Sequence, residues 1–149
     1  MAGATVVRPV QAGDRAAWDP LWQGYLSFYE ARLASEVTDT TWRRFLDPLD
    51  PLNAVVAVRD GGLIGLAHFL LHRSTWAPVG YCYLEDLFVE PSLRGSGAGR
   101  ALIAAVEQAA RDAGASRLYW TTHATNRTAQ QLYNRVAERS DFVQYRKTL

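Results

Sequence analysis

The chain has only one cysteine, Cys82, among 149 residues, which excludes an internal disulfide and an all-cysteine zinc site. No apolar run approaches the ~20 residues that a membrane-spanning helix needs. Met1 to Gly13 lacks the basic start and apolar core of a secretory leader. Neither sign of charge predominates: sixteen Lys and Arg against fifteen Asp and Glu leave +1, so nothing advertises nucleic acid or an anionic membrane as a partner. Internal repeats, linkers and low-complexity tracts are missing too. These absences point to a cytoplasmic protein whose partner is a small molecule. What is present is ordinary for a folded chain, 48% hydrophobic and 21% charged residues, at a length where folding buries roughly 70% of the unfolded surface. Residues 1–149 are therefore read as a single domain.

Val6 to Val10 reads as a short strand, placed at a sheet edge by Pro9, which cannot donate to a ladder. Asp14 can cap a first helical turn, and Asp19-Pro20 then looks like a fresh helix start, with Leu21, Trp22, Tyr25, Leu26 and Tyr29 at helical spacing. A short helix from Asp39 to Leu46 points Trp42, Phe45 and Leu46 inward. Seven of the seventeen aromatic residues precede Leu46; core packing is the plainer role for them, lining a substrate pocket the sharper one. Ala54–Val58 and Leu63–Leu71, joined at Asp60-Gly61-Gly62, predict a hairpin. Tyr81–Val89 predicts a buried strand interrupted by Glu85 and Asp86. A helix from Gly99 to Ala113, a strand from Arg117 to Thr122, a helix from Asn126 to Val136 and a last strand from Phe142 to Arg146 complete the chain. The βαβ unit from Tyr81 to Thr122 requires parallel strands, so the sheet is mixed.

The most informative segment is Arg94-Gly95-Ser96-Gly97-Ala98-Gly99-Arg100, between a strand and a helix. Alternate glycines let backbone N–H groups converge in a tight turn, the helix N-terminus adds partial positive charge, and Arg94 adds a full one, a combination suited to phosphate. A tight strand-to-helix turn is the plainer alternative. The nucleoside-triphosphate loop is excluded because no Gly-Lys pair exists in the chain. The dinucleotide fingerprint is excluded because the spacing is Gly-x-Gly-x-Gly, with no acidic residue between Asp112 and Glu138 to hold a ribose.

Leu84-Glu85-Asp86-Leu87-Phe88-Val89-Glu90-Pro91, followed by this glycine turn and then by Asn126 and Tyr133, resembles the GNAT superfamily of acetyl-CoA-dependent N-acetyltransferases. The likeness is greatest from Tyr81 to Tyr145, to the subgroup of diamine, thialysine and fungal histone or D-amino-acid acetyltransferases. The resemblance implies an α+β fold, a mixed, mostly antiparallel, splayed sheet flanked by helices. It also implies acetyl-CoA as cosubstrate with no metal, and a small-molecule amine as acceptor. The backbone of Leu87, Phe88 and Val89 would pair with the pantetheine amides. Arg94, Gly95, Ser96, Gly97, Ala98, Gly99 and Arg100 would hold the pyrophosphate, Asn126 would contact the coenzyme, and Tyr133 would serve as general acid at its sulfur. Where many members carry Gly-Phe after the last helix, this chain has Arg139-Ser140-Asp141-Phe142. A homodimer through the C-terminal strand is left open.

Acyl transfer needs a neutral amine, and freeing a primary alkylamine of its proton at pH 7 costs about 4.6 kcal/mol. A carboxylate can take that proton as the amine attacks. Glu85 is the first choice, because a carboxylate inside an apolar strand is expensive without a partner or a task. Asp86 should face the other way unless a bulge redirects one of them, and a salt bridge is the bland role for either. A backbone N–H near Leu87 could stabilise the oxyanion. His123 is an alternative base. His68 and His72 could share a strand face but lack a third metal ligand. A non-catalytic coenzyme-binding module and a protein-tail acetyltransferase, with Glu30, Glu36 and Asp39 as its acidic groove, are the competing readings.

Overall fold

The computed structural model describes residues 3–149; Met1 and Ala2, the start of the segment that lacks a leader pattern, lie outside them. Five strands form one sheet in the order β1 (Val6–Pro9), β2 (Leu52–Arg59), β3 (Gly62–Ser74), β4 (Ala77–Val89) and β5 (Leu118–Tyr119). All neighbours are antiparallel except β4 and β5. The hairpin, the edge position of Pro9 and the parallel βαβ unit agree with the sequence reading. Four helices flank the sheet: α1 (Arg15–Phe28), α2 (Ser35–Phe45), α3 (Ala98–Asp112) and α4 (Arg127–Val136). Among the described residues no helix is long and apolar enough to cross a membrane.

Three boundaries differ for identifiable reasons. α1 runs through Pro20 instead of beginning there. An interior proline costs about 3 kcal/mol, but an earlier start brings Trp18 onto the stripe of Leu21, Trp22 and Leu26, and Trp18 becomes fully buried. α2 begins four residues before Asp39, so that Thr38 is inside and accepts a hydrogen bond from the Trp22 indole at 3.1 Å; Leu46, expected inward, is exposed. The strand expected at Phe142–Arg146 is not formed. From Ala137 onward the chain has no regular structure, and Phe142, Val143 and Tyr145 are exposed and pair with no strand among the described residues.

Each sheet face has its own core. Val55, Ala57, Ala67, Phe69, Cys82 and Leu84 pack against Leu102, Ile103 and Val106 of α3. Val56, Leu66 and Phe88 pack on the other face against Trp18, Leu21, Trp22, Leu26 and Trp42 of α1 and α2. Gly65 of β3 lets α3 sit close beneath the end of β4, since a methyl group there would stand 2.9 Å from the Phe88 carbonyl oxygen and 3.1 Å from Leu102 Cδ1. The first of these atoms is backbone and cannot step aside. Gly65→Ala is expected to cost roughly 1–3 kcal/mol, read as a lower denaturant midpoint at unchanged slope.

Candidate active site

β4 carries one more residue than β3 opposite it. His68 pairs with Asp86 and Phe69 with Leu84, which leaves Glu85 without an opposite number. This is a β-bulge, and one inserted residue reverses the side-chain alternation. Before it, Cys82 and Leu84 face α3; after it, Leu87 and Val89 do, while Phe88 turns to α1. The bulge removes the expectation that Glu85 and Asp86 work on opposite faces. The charge of Asp86 raises the Glu85 carboxyl, and both carboxylates raise the Tyr25 phenol of α1.

Glu85 is not buried inside the strand as its apolar neighbours suggested. Its side chain is exposed and accepts no hydrogen bond or ion pair among the described residues. Crowding by surrounding atoms, and then the charge of Asp86, push its carboxyl above the ordinary value. Asp86 has the partner instead: its Oδ2 lies 2.9 Å from His68 Nδ1. Burial, followed by the charge of Asp86, raises both Tyr25 and Tyr29, so these phenols stay protonated.

β5 pairs with β4 only at Cys82–Leu118 and Tyr83–Tyr119. The expected strand from Arg117 to Thr122 is cut to two residues because the chain then diverges and Trp120 turns to pack edge-on against Tyr133, ring centroids 5.4 Å apart. From Leu84 to Val89 one edge of β4 therefore faces no strand, and every second residue turns its N–H and C=O into the opening. Leu87, Phe88 and Val89 lie along this edge.

At the far end of the edge stands the glycine turn. Gly95 and Gly97 have φ of +83° and +89°, and nothing approaches within 4 Å of the position a Cβ would occupy on either. Gly97 precedes α3, and the amides of Gly97, Ala98, Gly99 and Arg100 have no acceptor among the described residues. Four convergent free N–H groups at a helix start, in open space, form an anion cradle. Gly99 also admits Leu132 of α4, whose Cδ2 lies 3.4 Å from its virtual Cβ. Ser96 and Arg100 are exposed at the rim and Ala98 is buried beneath it. Arg94 folds back: its Nε donates to the Val89 carbonyl at 3.2 Å, and its guanidinium lies over the rings of Phe28 and Phe88. It is exposed near the end of β4.

Asn126 caps α4, its side chain accepting from Ala129 N at 3.3 Å. Two turns on, Tyr133 packs against the α3-side core, and burial, then Tyr29, raises its phenol. His123 is exposed with its ring 5.5 Å from that of Tyr29. His72 bonds the Tyr119 hydroxyl at 2.7 Å, and no cluster of metal-ligating side chains occurs among the described residues. In sequence the aromatics before Leu46 read as core packing or as a pocket lining, without Tyr25 and Tyr29 singled out, and the buried Thr122 Oγ1, which has no hydrogen-bond partner among the described residues, carries no signal.

A family model described as the acetyltransferase (GNAT) family matches residues 18–137. The chain belongs to the GNAT acetyltransferase family. It is 37% identical over 144 residues to the D-amino-acid N-acetyltransferase HPA3 of Saccharomyces cerevisiae, covering 95% of this chain and 89% of that one. It is 32% identical to an aminoglycoside N(6')-acetyltransferase type 1 of Stenotrophomonas maltophilia, covering 79% and 75%. The GNAT fold is shared with the aminoglycoside acetyltransferase AAC(6')-Iy in complex with a bisubstrate analogue containing CoA, at a TM-score of 0.81 and 21% identity over 99% of this chain and all of the other.

The open cradle fits a phosphorylated ligand, which gives a test of the glycine turn. Gly97→Val is expected to cost about 1–2 kcal/mol for its left-handed backbone and to abolish acetyl-CoA binding by calorimetry. Unchanged affinity in a folded variant would overturn the assignment.

Proposed function

We propose that the chain transfers the acetyl group of acetyl-CoA directly to the primary amine of a small molecule, such as a polyamine, an amino acid or a similar amine. The observation that carries this reading is one unpaired strand edge with an anion cradle at one end and a pair of carboxylates at the other. Family membership and the small amines named for its relatives support it. The acting unit is taken to be the whole chain as a single domain.

In this reading acetyl-CoA supplies an activated acyl thioester. The amides from Gly97 to Arg100, with Gly95, Ser96 and the charge of Arg94, hold its pyrophosphate. The backbone of Leu87, Phe88 and Val89 pairs with the pantetheine amides, and Asn126 contacts the coenzyme from the start of α4. A free N–H near Leu87 stabilises negative charge on the carbonyl oxygen. Glu85 takes the proton of the reacting ammonium, with His123 as the second choice. Its carboxyl, raised by burial and then by the charge of Asp86, is a better proton acceptor than an ordinary glutamate. Tyr133, kept protonated by burial, donates to the departing sulfur. A homodimer is supported by the exposed Phe142, Val143 and Tyr145 and by the outer edge of β5, which pairs with no strand among the described residues.

The decisive experiment is a panel of polyamines, amino acids, amino sugars and basic peptides assayed for acetyl-CoA-dependent release of free thiol. Turnover of a small amine is expected, and turnover of peptides alone would redirect the reading. Glu85→Gln is expected to lower turnover most at neutral pH, with the deficit shrinking as alkaline pH deprotonates the amine without help. A pH–rate profile parallel to that of the unsubstituted protein would remove Glu85 and promote His123. Tyr133→Phe should bind acetyl-CoA normally and transfer acetyl at least tenfold more slowly, because a hydrogen bond to a developing thiolate counts for more in the transition state than in the ground state. Unaltered turnover would return Tyr133 to packing alone.

A further inference from the structure

His68 is fully enclosed in the sheet face beneath α1 and α2, at 2% exposure, yet both of its ring nitrogens are partnered. The Trp18 indole N–H donates to Nε2 at 3.0 Å. An indole can only donate, so Nε2 carries no proton. Nδ1 must then hold the ring's single proton and donate it to Asp86 Oδ2 at 2.9 Å. A second proton on Nε2 would set two donors against each other in an apolar enclosure formed by Trp18, Trp22 and Phe45, whose centroids lie 5.7, 5.1 and 4.6 Å from the imidazole. The charged and titratable groups facing this enclosure are Arg15 and Tyr25 of α1, Asp39 of α2, and Glu85 and Asp86 of β4; the Arg15 guanidinium lies 5.8 Å from the Trp18 ring and 6.0 Å from the Trp42 ring and is neutralised by Asp39 at 2.6 Å. The imidazole is thus held neutral, and the His68–Asp86 pair keeps a net negative charge that an ordinary histidine–aspartate ion pair would lose.

We infer that Trp18 and His68 are positioning residues that lock Asp86 at the bulge as a fixed anion, where it binds the ammonium of the acetyl acceptor beside Glu85. The inference rests on the acetyltransferase reading of the cleft and divides labour between its carboxylates. The Asp86 side chain is 13% exposed, so it reaches the cleft while its inner oxygen stays tied to His68. Glu85, with no protein donor, remains free to take the proton.

Two substitutions separate the halves of the relay. In His68→Asn the side-chain amide can stand where Nδ1–H stood and still donate to Asp86. In His68→Gln the longer side chain reaches toward Trp18 and leaves Asp86 without its donor. D-alanine, 1,4-diaminobutane and neamine serve as acceptors. His68→Asn is expected to keep acceptor kcat/KM within threefold, and His68→Gln to raise acceptor KM at least tenfold with less change in kcat, while acetyl-CoA affinity is unchanged in both. Equal behaviour of the two folded variants, whether both impaired or both normal, overturns the inference. Nitrogen-15 spectra of the unsubstituted protein at pH 7 give an independent readout: a protonated Nδ1 with a bare Nε2 supports the relay, and any other protonation pattern refutes it. Absence of turnover with all three acceptors and the wider amine panel counts against the proposed function alone, because the spectrum still decides the tautomer.

Discussion

One extra residue in β4 sets the terms for the rest of the cleft. Without the bulge at Glu85, the strand that places Cys82 and Leu84 against α3 would send Asp86 and Phe88 the same way, and a carboxylate would enter an apolar core. With it, Leu87 and Val89 take over the α3 side, and Phe88 completes the aromatic cluster under α1. The phase change is affordable because each face has its own hydrophobic partner, so either set of side chains finds a core. It also bends and twists the strand locally, at the level where β5 parts from it. The bulge sets the carboxylates, and the turn of Trp120 onto Tyr133 opens the backbone edge, at the same level of β4.

The opening has chemically distinct ends because helix and strand present their backbone polar groups differently. Along β4, N–H and C=O groups alternate and suit an extended amide chain. At the start of α3, only donors are exposed, and the positive φ of Gly95 and Gly97 turns them inward without a side chain in the way. An elongated ligand carrying anionic groups at one end and amides along its length matches that polarity in one orientation. In the proposed binding mode its reactive end lies toward the bulge, and Tyr25, Tyr29 and Tyr133 are all raised by burial first.

Much of this was legible because it depends on local chemistry. Strand composition and the Asp60-Gly61-Gly62 turn gave the hairpin, alternate glycines before an amphipathic helix gave the cradle, and helical spacing placed the start of α4 at Asn126. The less legible features depend on what lies across the sheet. Periodicity in Tyr81–Val89 shows that Glu85 and Asp86 interrupt the strand, but a bulge is defined by the count of residues on its partner, which β4 alone does not contain. Proline at position 20 outweighed the burial of Trp18 in a local reading, because the pocket for Trp18 is built by α2 and His68, both distant in sequence. The segment after Ala137 has strand-like composition, and composition does not supply the neighbouring strand that would make it one.

Two carboxylates at one site pose a problem of division, since each attracts the proton that the other should receive. Placed symmetrically, they would share it, as coupled groups do. Here the surroundings differ. Asp86 already accepts the hydrogen bond of a histidine that cannot take a second proton without opposing the Trp18 indole. Glu85 accepts nothing from the protein, and the charge of Asp86 helps to push it up. Under the proposed division of labour, a proton arriving from an ammonium ion goes to Glu85, and the charge that drew the ammonium in stays with Asp86. In that proposal a buried histidine, fixed by the Trp18 donor on its far side, is what keeps proton transfer and cation binding on separate residues.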